Sequence, residues 1–305
     1  MPELPEVESI RLSLEPRLVG RRIVSATLFR RDVLIAPGDP PGGFSRQRTR
    51  RARSGAARAA ASFEPPDLLE GSRVAEIRRR GKQLAIIGAP GRVLVVQLGM
   101  TGHLGFVSPG KRGQAHVHAE WLLDDGSRLI FRDPRRFGSL RVLRSVDDLE
   151  KHWLSIRRDA LSITPTALSV ELINTRRTVK AALLDQRVIA GVGNIYADEA
   201  LFAAGLHPAY PTKHLTATQT RRLAFAIRKT LRAAIRKGGS TLRDYADAEG
   251  RPGSYKASHR VYGRAGLPCV ICHHKLRSCV LAQRTTVWCP SCQPPGPPPS
   301  APNPC

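Results

Sequence analysis

The sequence predicts an α+β protein, with an N-terminal helix and an antiparallel β-sandwich, then a helical region, then a C-terminal β-hairpin with metal-binding spacing. Three observations support this prediction. Short strand-like segments separated by glycine, proline and aspartate turns fill the first half, helical periodicity begins near residue 147, and two Cys-x-x-Cys motifs lie near the C-terminus. A chain of 305 residues is long enough for two separate cores.

The charge balance predicts a polyanionic partner. Lys and Arg number 49 against 25 Asp and Glu, which gives a formal net charge of +24. Nucleic acid is the first candidate for such a partner, and an anionic membrane surface is the second. No stretch approaches the roughly 18 apolar residues of a membrane span, and the acidic N-terminus does not resemble a signal peptide.

The first half begins with a helix and continues as strands. Apolar residues recur at helical spacing from Leu4 to Leu14, which predicts an amphipathic helix over residues 4–15. Strand-like segments follow at 22–29, 73–77, 83–87, 93–98, 117–123, 128–131 and 140–143. Residues 37–66 are rich in Pro, Gly, Ala and Arg without periodicity, which predicts a mobile insertion. A solvated loop is favoured there over contact with DNA phosphates.

The second half reads as helices. Short helices are predicted at 170–176, 179–186 and 195–204, and a long one begins near Leu215. Thr216 and Gln219 have capping-box spacing, and Gly238 and Gly239 end the long helix. Its basic face is either a solvated surface or one that lies close to DNA.

The cysteine spacing predicts a structural zinc site. The two motifs contain Cys269, Cys272, Cys289 and Cys292. Two such knuckles sixteen residues apart can close a tetrahedral thiolate site, which fits a reducing cytoplasm better than disulfides do. His273 or His274 could replace one ligand, although the four-cysteine site is simpler. Cys279 and Cys305 remain outside the motifs.

The N-terminus offers a nucleophile. Removal of Met1 would expose the secondary amine of Pro2, and α-amino groups titrate near 8, so this amine can be largely unprotonated. Attack on a sugar aldehyde carbon gives an iminium, with Glu3 and Glu6 available for acid and orienting roles. The alternative is an ordinary helix start, in which proline and acidic residues occupy the first turn.

Two further segments carry candidate chemistry. Residues 133–138 (DPRRFG) predict a tight loop that projects two arginines and a phenylalanine, which suits insertion into a base stack. The alternative is a turn with a core Phe. Lys82 follows a run of arginines, and neighbouring cations favour its neutral amine, which suits proton transfer. The alternative is a phosphate-binding lysine.

Four segments together resemble the formamidopyrimidine-DNA glycosylases, bacterial enzymes that excise 8-oxoguanine. These are residues 1–8 (MPELPEVE), 133–138 (DPRRFG), 191–196 (GVGNIY) and the four-cysteine ribbon. They occur in the order of that family and span nearly the whole chain. The resemblance implies a helix-two-turn-helix region around residues 191–196.

The resemblance also implies residue roles. The catalytic residues implied are Pro2, Glu3, Lys82 and Arg284. The DNA-contacting residues implied are Glu6, Met100, His116, Arg135, Phe137, Arg176, Lys180 and Asn194. His118 competes with His116 for its role, and residues 240–255 resemble the loop that covers an extruded purine.

The expected protein is a bifunctional DNA glycosylase/AP lyase of base excision repair, acting on damaged double-stranded DNA in the bacterial cytoplasm and nucleoid. We expect a monomer, without membrane association, with one Zn²⁺. The expected domains are 1–146 (catalytic sandwich), 147–256 (helix-two-turn-helix), 257–293 (zinc ribbon) and a disordered tail, 294–305. The alternatives are an endonuclease VIII-like glycosylase for oxidised pyrimidines and a non-catalytic zinc DNA-binding protein. Leu4 and the intact Arg-Arg-Phe loop favour the purine branch.

Overall fold

The computed structural model describes residues 2–35, 68–107, 115–242 and 245–296. It divides into two compact units, which we describe separately. Unit 1 comprises Met1–Ser155 and Gly238–Gly253, and unit 2 comprises Ile156–Lys237 and Ser254–Cys305. The predicted insertion 37–66 and the predicted tail from residue 297 onward lie outside the described residues.

Unit 1 is built from two β-sheets and the N-terminal helix α1 (Leu4–Leu18). Its strands are β1 (Ile23–Leu28), β2 (Leu34–Ile35), β3 (Val74–Arg80), β4 (Gln83–Gly88), β5 (Val93–Gln97), β6 (His103–Phe106), β7 (Val117–Leu123), β8 (Arg128–Arg132) and β9 (Ser139–Leu143). One sheet has the order β1-β7-β8-β6 and the other β2-β9-β5-β4-β3. All pairs are antiparallel except β2 with β9.

Both sheets and α1 contribute to one hydrophobic core. Val7, Ile10 and Leu14 of α1 are buried in it, together with Trp121 and Phe131 from the four-stranded sheet. The apolar positions of α1 predicted this packing, because residues at i, i+3 and i+7 share one helix face. Anchoring α1 in the core fixes the start of the chain, which would otherwise fray.

The predicted N-terminal sandwich is confirmed, and each predicted strand is present with ends displaced by a few residues at most. Two strands, β2 and β6, were missed. The helix α2 (Val146–Leu154) lies where the helical pattern was predicted to begin, and its start is capped by the Ser145 hydroxyl accepting from Asp148 N–H.

Unit 2 contains four helices and a terminal hairpin. The helices are α3 (Pro165–Ile173), α4 (Val179–Leu184), α5 (Asn194–Ala204) and α6 (Ala217–Arg236). The predicted capping box of α6 is present, with Gln219 N–H donating to Thr216 Oγ1 at 3.2 Å and Thr216 N–H to Gln219 Oε1 at 2.9 Å. Helix α3 begins five residues before the predicted 170–176, because Thr164 caps it and Pro165 occupies its first turn.

The hairpin consists of β10 (Arg277–Leu281) and β11 (Arg284–Trp288), joined by a two-residue turn. Phe202 of α5 packs with Leu276, Val287 and the cysteines of the ribbon in a small second core. Among the described residues, no helix is both long enough and apolar enough to cross a membrane.

Candidate active site and DNA interface

The first residues of the chain are held in place by side-chain and backbone contacts. Pro2 is buried, and Glu3, at the N-cap of α1, is only 2% exposed. Glu6 Oε2 accepts a hydrogen bond from Glu3 N–H at 2.9 Å, which is one half of a capping box. The predicted nucleophile and the predicted acid are therefore adjacent residues on a rigid helix start.

Glu6 connects this helix start to the loop Gly238–Gly253. Its Oε1 accepts from Ser240 N–H at 2.7 Å, and its backbone carbonyl accepts from the Tyr245 hydroxyl at 3.1 Å. A Cβ at Gly239, where φ is +84°, would lie 2.8 Å from Glu6 Oε1, so the close approach requires glycine. Glu6 is 1% exposed, and the DNA contact predicted for its side chain stays a prediction. Its geometry fits an orienting role.

Lys82 lies in the two-residue turn between β3 and β4. Gly81 provides the positive φ of +57° that the turn needs. Arg79 Nη1 donates to the Gly81 carbonyl at 3.1 Å, and its Nε donates to Glu8 Oε2 on α1 at 2.6 Å. This partly buried ion pair ties the Lys82 turn to the helix that follows Pro2 and Glu3.

A second set of contacts holds the same turn through Gln83. Gln83 Oε1 accepts from Trp153 Nε1–H at 3.1 Å and lies 3.1 Å from His152 Nε2. An amide oxygen can only accept, so His152 Nε2 carries the proton. Burial, followed by the nearby Arg141 charge, lowers the pKa of His152 to about 4, so this ring is neutral at physiological pH.

The predicted wedge residues come together in one place. Asp133 is fully buried and accepts from Thr101 Oγ1 at 2.5 Å and from Gly138 N–H at 2.6 Å, which fixes the DPRRFG loop. The segment that carries Met100 approaches this loop so closely that a Cβ at Gly99 would lie 2.4 Å from the backbone carbon of Phe137. Met100 is 40% exposed.

The arginine and the phenylalanine of the wedge stack on each other. The Arg135 guanidinium lies 5.0 Å from the centre of the Phe137 ring, and Arg135 is exposed. The alternative of a core phenylalanine does not fit, because Phe137 is only partly buried. An exposed methionine, arginine and aromatic ring in one patch suit insertion into a base stack.

Of the two competing histidines, the structure exposes His116 and buries His118, which is 2% exposed. His118 Nε2 lies 2.8 Å from the Asp133 carbonyl oxygen and therefore supports the wedge loop. His116 has a φ of +66°, a conformation that few residues other than glycine adopt. His116 is thus the one available to contact DNA.

In unit 2, Lys180 lies in an enclosed environment beside an acidic partner. Its side chain is 0% exposed, and its ammonium lies 2.6 Å from Asp198 Oδ1, which is also 0% exposed. It donates to Thr286 Oγ1 at 2.7 Å and to the Thr285 carbonyl at 3.2 Å. Lys180 therefore supports the hairpin, and the phosphate contact predicted for it stays a prediction.

Asn194 and Arg176 occupy different environments. Asn194 begins α5 after the predicted glycine loop, and its Nδ2 donates to the Thr285 carbonyl at 3.0 Å. Its Oδ1 is buried without a hydrogen-bond partner among the described residues. Arg176 is exposed just before α4. Both positions are compatible with phosphate contacts, which remain predictions.

Arg284 is presented by a strained turn. Ala282 and Gln283 both have positive φ, +48° and +59°, and neither is the glycine that such a turn prefers. Directly beyond the turn, Arg284 is exposed, whereas the nearby Thr286 is fully buried against Lys180. A tight turn on a supported hairpin holds one arginine at the surface.

The four motif cysteines converge as predicted. Their sulfur atoms all lie within 4.8 Å of one another, and Cys272 Sγ is 3.3 Å from Cys289 Sγ and 3.5 Å from Cys292 Sγ. Tetrahedral thiolates at about 2.3 Å from zinc would be about 3.8 Å apart, so the cluster has the size of a metal site. His273 and His274 are exposed and outside the cluster.

Comparisons with known proteins agree with this geometry. The model of the formamidopyrimidine-DNA glycosylase N-terminal domain matches residues 1–140, and that of the formamidopyrimidine-DNA glycosylase H2TH domain matches residues 158–246. The chain belongs to the formamidopyrimidine-DNA glycosylase family. The formamidopyrimidine-DNA glycosylase of Chloroflexus aggregans is 40% identical over 296 residues, covering 96% of this chain and 98% of the relative.

Solved structures of the formamidopyrimidine-DNA glycosylase family are similar over the whole chain. Lactococcus lactis Fpg, in complex with DNA that contains an abasic site, has a TM-score of 0.80 at 28% identity, covering 96% of this chain and 100% of that one. Thermus thermophilus MutM (Fpg) has a TM-score of 0.77 at 38% identity, covering 97% and 100%. The predicted α+β fold with its helix-two-turn-helix region is therefore confirmed.

Sequence reasoning missed the residues that hold this glycosylase fold around its site. Glu199, 2% exposed, accepts three backbone hydrogen bonds from residues 260–262, where the chain enters the ribbon. Gln293 bridges Cys289 N–H and the Leu206 carbonyl. A charged or amide side chain gives no sequence signal of burial, so only the three-dimensional structure identifies these contacts.

Proposed function

We propose that this protein excises oxidised purines from double-stranded DNA and then nicks the strand, with the N-terminal amine of Pro2 as the nucleophile. The main support is the buried start of α1. Pro2 and Glu3 lie next to each other there, and Glu8 and Arg79 tie the same helix to the Lys82 turn. A glycosylase/lyase needs a nucleophile, an acid and a proton-transfer group close together.

The proposed reaction begins when the damaged nucleotide leaves the stack. Met100, Arg135 and Phe137 occupy the gap. The Pro2 amine attacks C1′, the glycosidic bond breaks and the base departs with the bonding electrons. Glu3 donates a proton to the ring oxygen, the sugar opens, and an iminium joins Pro2 to C1′.

The iminium then allows strand cleavage. It acidifies the C2′ proton, whose removal expels the 3′ phosphate (β-elimination), and a second elimination expels the 5′ phosphate. We assign proton transfer in these steps to Lys82 and Arg284. Water hydrolyses the iminium and releases the free amine.

The proposed metal is one structural Zn²⁺ held by Cys269, Cys272, Cys289 and Cys292. Four thiolates leave no open coordination position, so the ion would stabilise the ribbon and take no part in the reaction. His116, Arg176 and Asn194 are the proposed DNA contacts outside the wedge. A thiolate site of this kind is suited to the reducing cytoplasm, where we place the protein together with the nucleoid.

Borohydride trapping tests the proposal. Borohydride reduces an iminium to a stable amine, so a duplex with 8-oxoguanine opposite cytosine should become covalently attached to the protein. An oxidised pyrimidine in the same sequence is the matched substrate. Trapping with only the pyrimidine would assign the chain to the pyrimidine branch, and salt-sensitive binding without trapping on either duplex would leave a non-catalytic DNA-binding protein.

A further inference from the structure

The outer face of helix α6 combines one exposed phenylalanine with a group of cations. Phe225 is 59% exposed and lies on the side of the helix opposite the buried stripe that includes Leu223, Ile227 and Leu231. Side chains three and four positions apart are neighbours on a helix surface, and those seven apart share a face. Cations occupy these positions on both sides of Phe225: Arg221, Arg222, Arg228, Lys229 and Arg232. We call Phe225 and these cations the α6 outer face.

The charge of the α6 outer face is not neutralised by the helix or by its surroundings. The sequence of α6 contains no aspartate or glutamate, and within the described part of the chain none of these cations forms an ion pair. Arg228 and Arg232 are four residues apart, a spacing at which like charges destabilise a helix. A bound anionic partner would remove this repulsion.

Phe225 likewise has little cover. The nearest cation to its ring is the Lys229 ammonium, 6.0 Å from the ring centre, which is at the limit of a cation–π contact. An exposed phenylalanine contributes nothing to helix solubility and has a lower helix propensity than the arginines around it. Its position at the centre of a basic face therefore indicates an apolar contact surrounded by charge.

The α6 outer face points away from the residues of unit 2 that are proposed to contact DNA. Helix α6 packs against α3 and α5, and its buried stripe must face them. Helix α5 also packs against β11, and Asn194 at its start donates to the Thr285 carbonyl. Arg284 lies at the start of β11. The cations of the outer face therefore project away from the helix and hairpin that carry Asn194 and Arg284.

We propose that the α6 outer face docks a partner protein through an acidic segment that carries a bulky apolar side chain. Carboxylates of the segment pair with the guanidiniums, and its apolar side chain covers Phe225. Aromatic residues and arginine are the types enriched at protein interfaces, and an apolar anchor within a charged rim is the usual arrangement there. A phosphate contact would leave Phe225 without a role. Such docking uses no residue of the proposed reaction and does not depend on it.

The test is binding of a fluorescein-labelled synthetic peptide to the full chain, measured by fluorescence anisotropy. The probe holds one phenylalanine among aspartates and glutamates, and a control peptide of equal charge has alanine in its place. The chain is first saturated with a duplex that contains a tetrahydrofuran abasic analogue. Because the DNA interface is then occupied, the acidic probe cannot bind there.

The variants separate the apolar contact from the charge. Phe225→Gln removes the ring, Phe225→Leu keeps an apolar side chain, and Arg228→Gln/Arg232→Gln removes two cations. The matched controls are Leu154→Gln, which removes a side chain of unit 1 that is 79% exposed, and Arg128→Gln, which removes an exposed arginine paired with Glu120.

Phe225→Gln should weaken binding of the probe by about tenfold or more, as expected for a central anchor, and should leave the alanine peptide unaffected. The double arginine variant should weaken both peptides and reduce the salt dependence of their binding. Phe225→Leu and the two controls should stay within about twofold of the parent chain. Equal binding of the two peptides, an unchanged affinity in Phe225→Gln, or no binding to the DNA-saturated chain would overturn the proposal.

A second measurement distinguishes a protein partner from nucleic acid. The affinity of each variant for the same duplex is determined without peptide, and the α6 variants should match the parent chain within about twofold. Duplex binding that weakens about tenfold in Arg228→Gln/Arg232→Gln, with probe binding unchanged, would assign the α6 outer face to DNA and overturn the proposal.

Discussion

Replacing Lys180 with methionine is the most informative perturbation of unit 2. The substitution keeps the length and the apolar stem of the side chain and removes the ammonium. Asp198 is then left buried without its cation, and the Thr285 carbonyl and Thr286 hydroxyl lose their donor. Breaking a buried ion pair by removing one partner costs about 3–5 kcal/mol.

The cost should depend on pH. Burial raises the pKa of Asp198 to about 6, although Lys180 is only 2.6 Å away. Because this folded-state pKa lies above the ordinary value, the folded state binds more protons than the unfolded state in the range between them. Removing the Lys180 charge should raise the pKa of the Asp198 carboxyl further. The destabilisation of Lys180→Met should therefore be greatest at pH values above the higher pKa of Asp198 in the variant, become smaller as the pH falls towards about 6, and level off below that.

Hydrogen exchange is the appropriate assay, because it measures the opening of individual elements. A chain with two units and a metal site is not expected to unfold in a single two-state transition. Opening free energies are compared for α5 and the β10–β11 hairpin at pH 7.5 and pH 5, with Lys229→Met on the exposed face of α6 as the control. The double variant Lys180→Met/Asp198→Leu removes the buried unpaired charge and should recover part of the loss, because Val287 N–H then lacks its acceptor. A loss below about 1 kcal/mol at pH 7.5, or one that does not shrink at pH 5, would show that the Lys180 charge does not stabilise a buried Asp198 carboxylate.

Three other predictions follow from the site. Gln83→Leu leaves the Trp153 and His152 N–H groups without their acceptor, which should cost about 1–3 kcal/mol of stability for each buried donor. In a single-turnover gel assay, this variant should slow strand nicking more than base release. Gln83→Glu keeps the acceptor, so its effects should be milder. Gly239→Ala should lower thermal stability and expose the loop to limited proteolysis, because its Cβ meets Glu6; an unchanged digestion pattern would contradict the contact. Removing the metal with a chelator should unfold the ribbon and abolish DNA nicking, and added Zn²⁺ should restore both. A ribbon that stays folded and a protein that stays active in the chelator would show that the four thiols are not a metal site.

The sequence predicted helices and strands best where apolar spacing or a capping motif marks their position. The apolar spacing of α1 and the Thr216 cap of α6 place both helices within a few residues of their observed starts. The apolar residues predict a start of α3 that is five residues too late, because two of them, Val170 and Ile173, are 55% and 72% exposed and do not mark a buried face. The Thr164 cap followed by Pro165 was the better signal for its start.

The sequence identifies site residues where they belong to a motif. It does not predict how deeply their side chains are buried or which residues they pair with. A lysine in a basic segment reads as a surface cation, yet Lys180 is paired with Asp198, eighteen positions later in the chain, because the fold brings α4 beside α5. The Gln83–Trp153 contact likewise joins residues seventy positions apart. Burial and pairing across such distances are properties of the tertiary structure, which a single sequence does not display.

The proposed reaction depends on the amine of residue 2, and peptide mapping of the borohydride-trapped adduct identifies the nitrogen that reacts. The protein is trapped on 8-oxoguanine DNA, the DNA is digested and the modified peptide is sequenced by mass spectrometry. We expect a chain that begins at Pro2, with the reduced sugar remnant on the Pro2 nitrogen. A chain that retains Met1, or an adduct on Lys82 in place of Pro2, would contradict it.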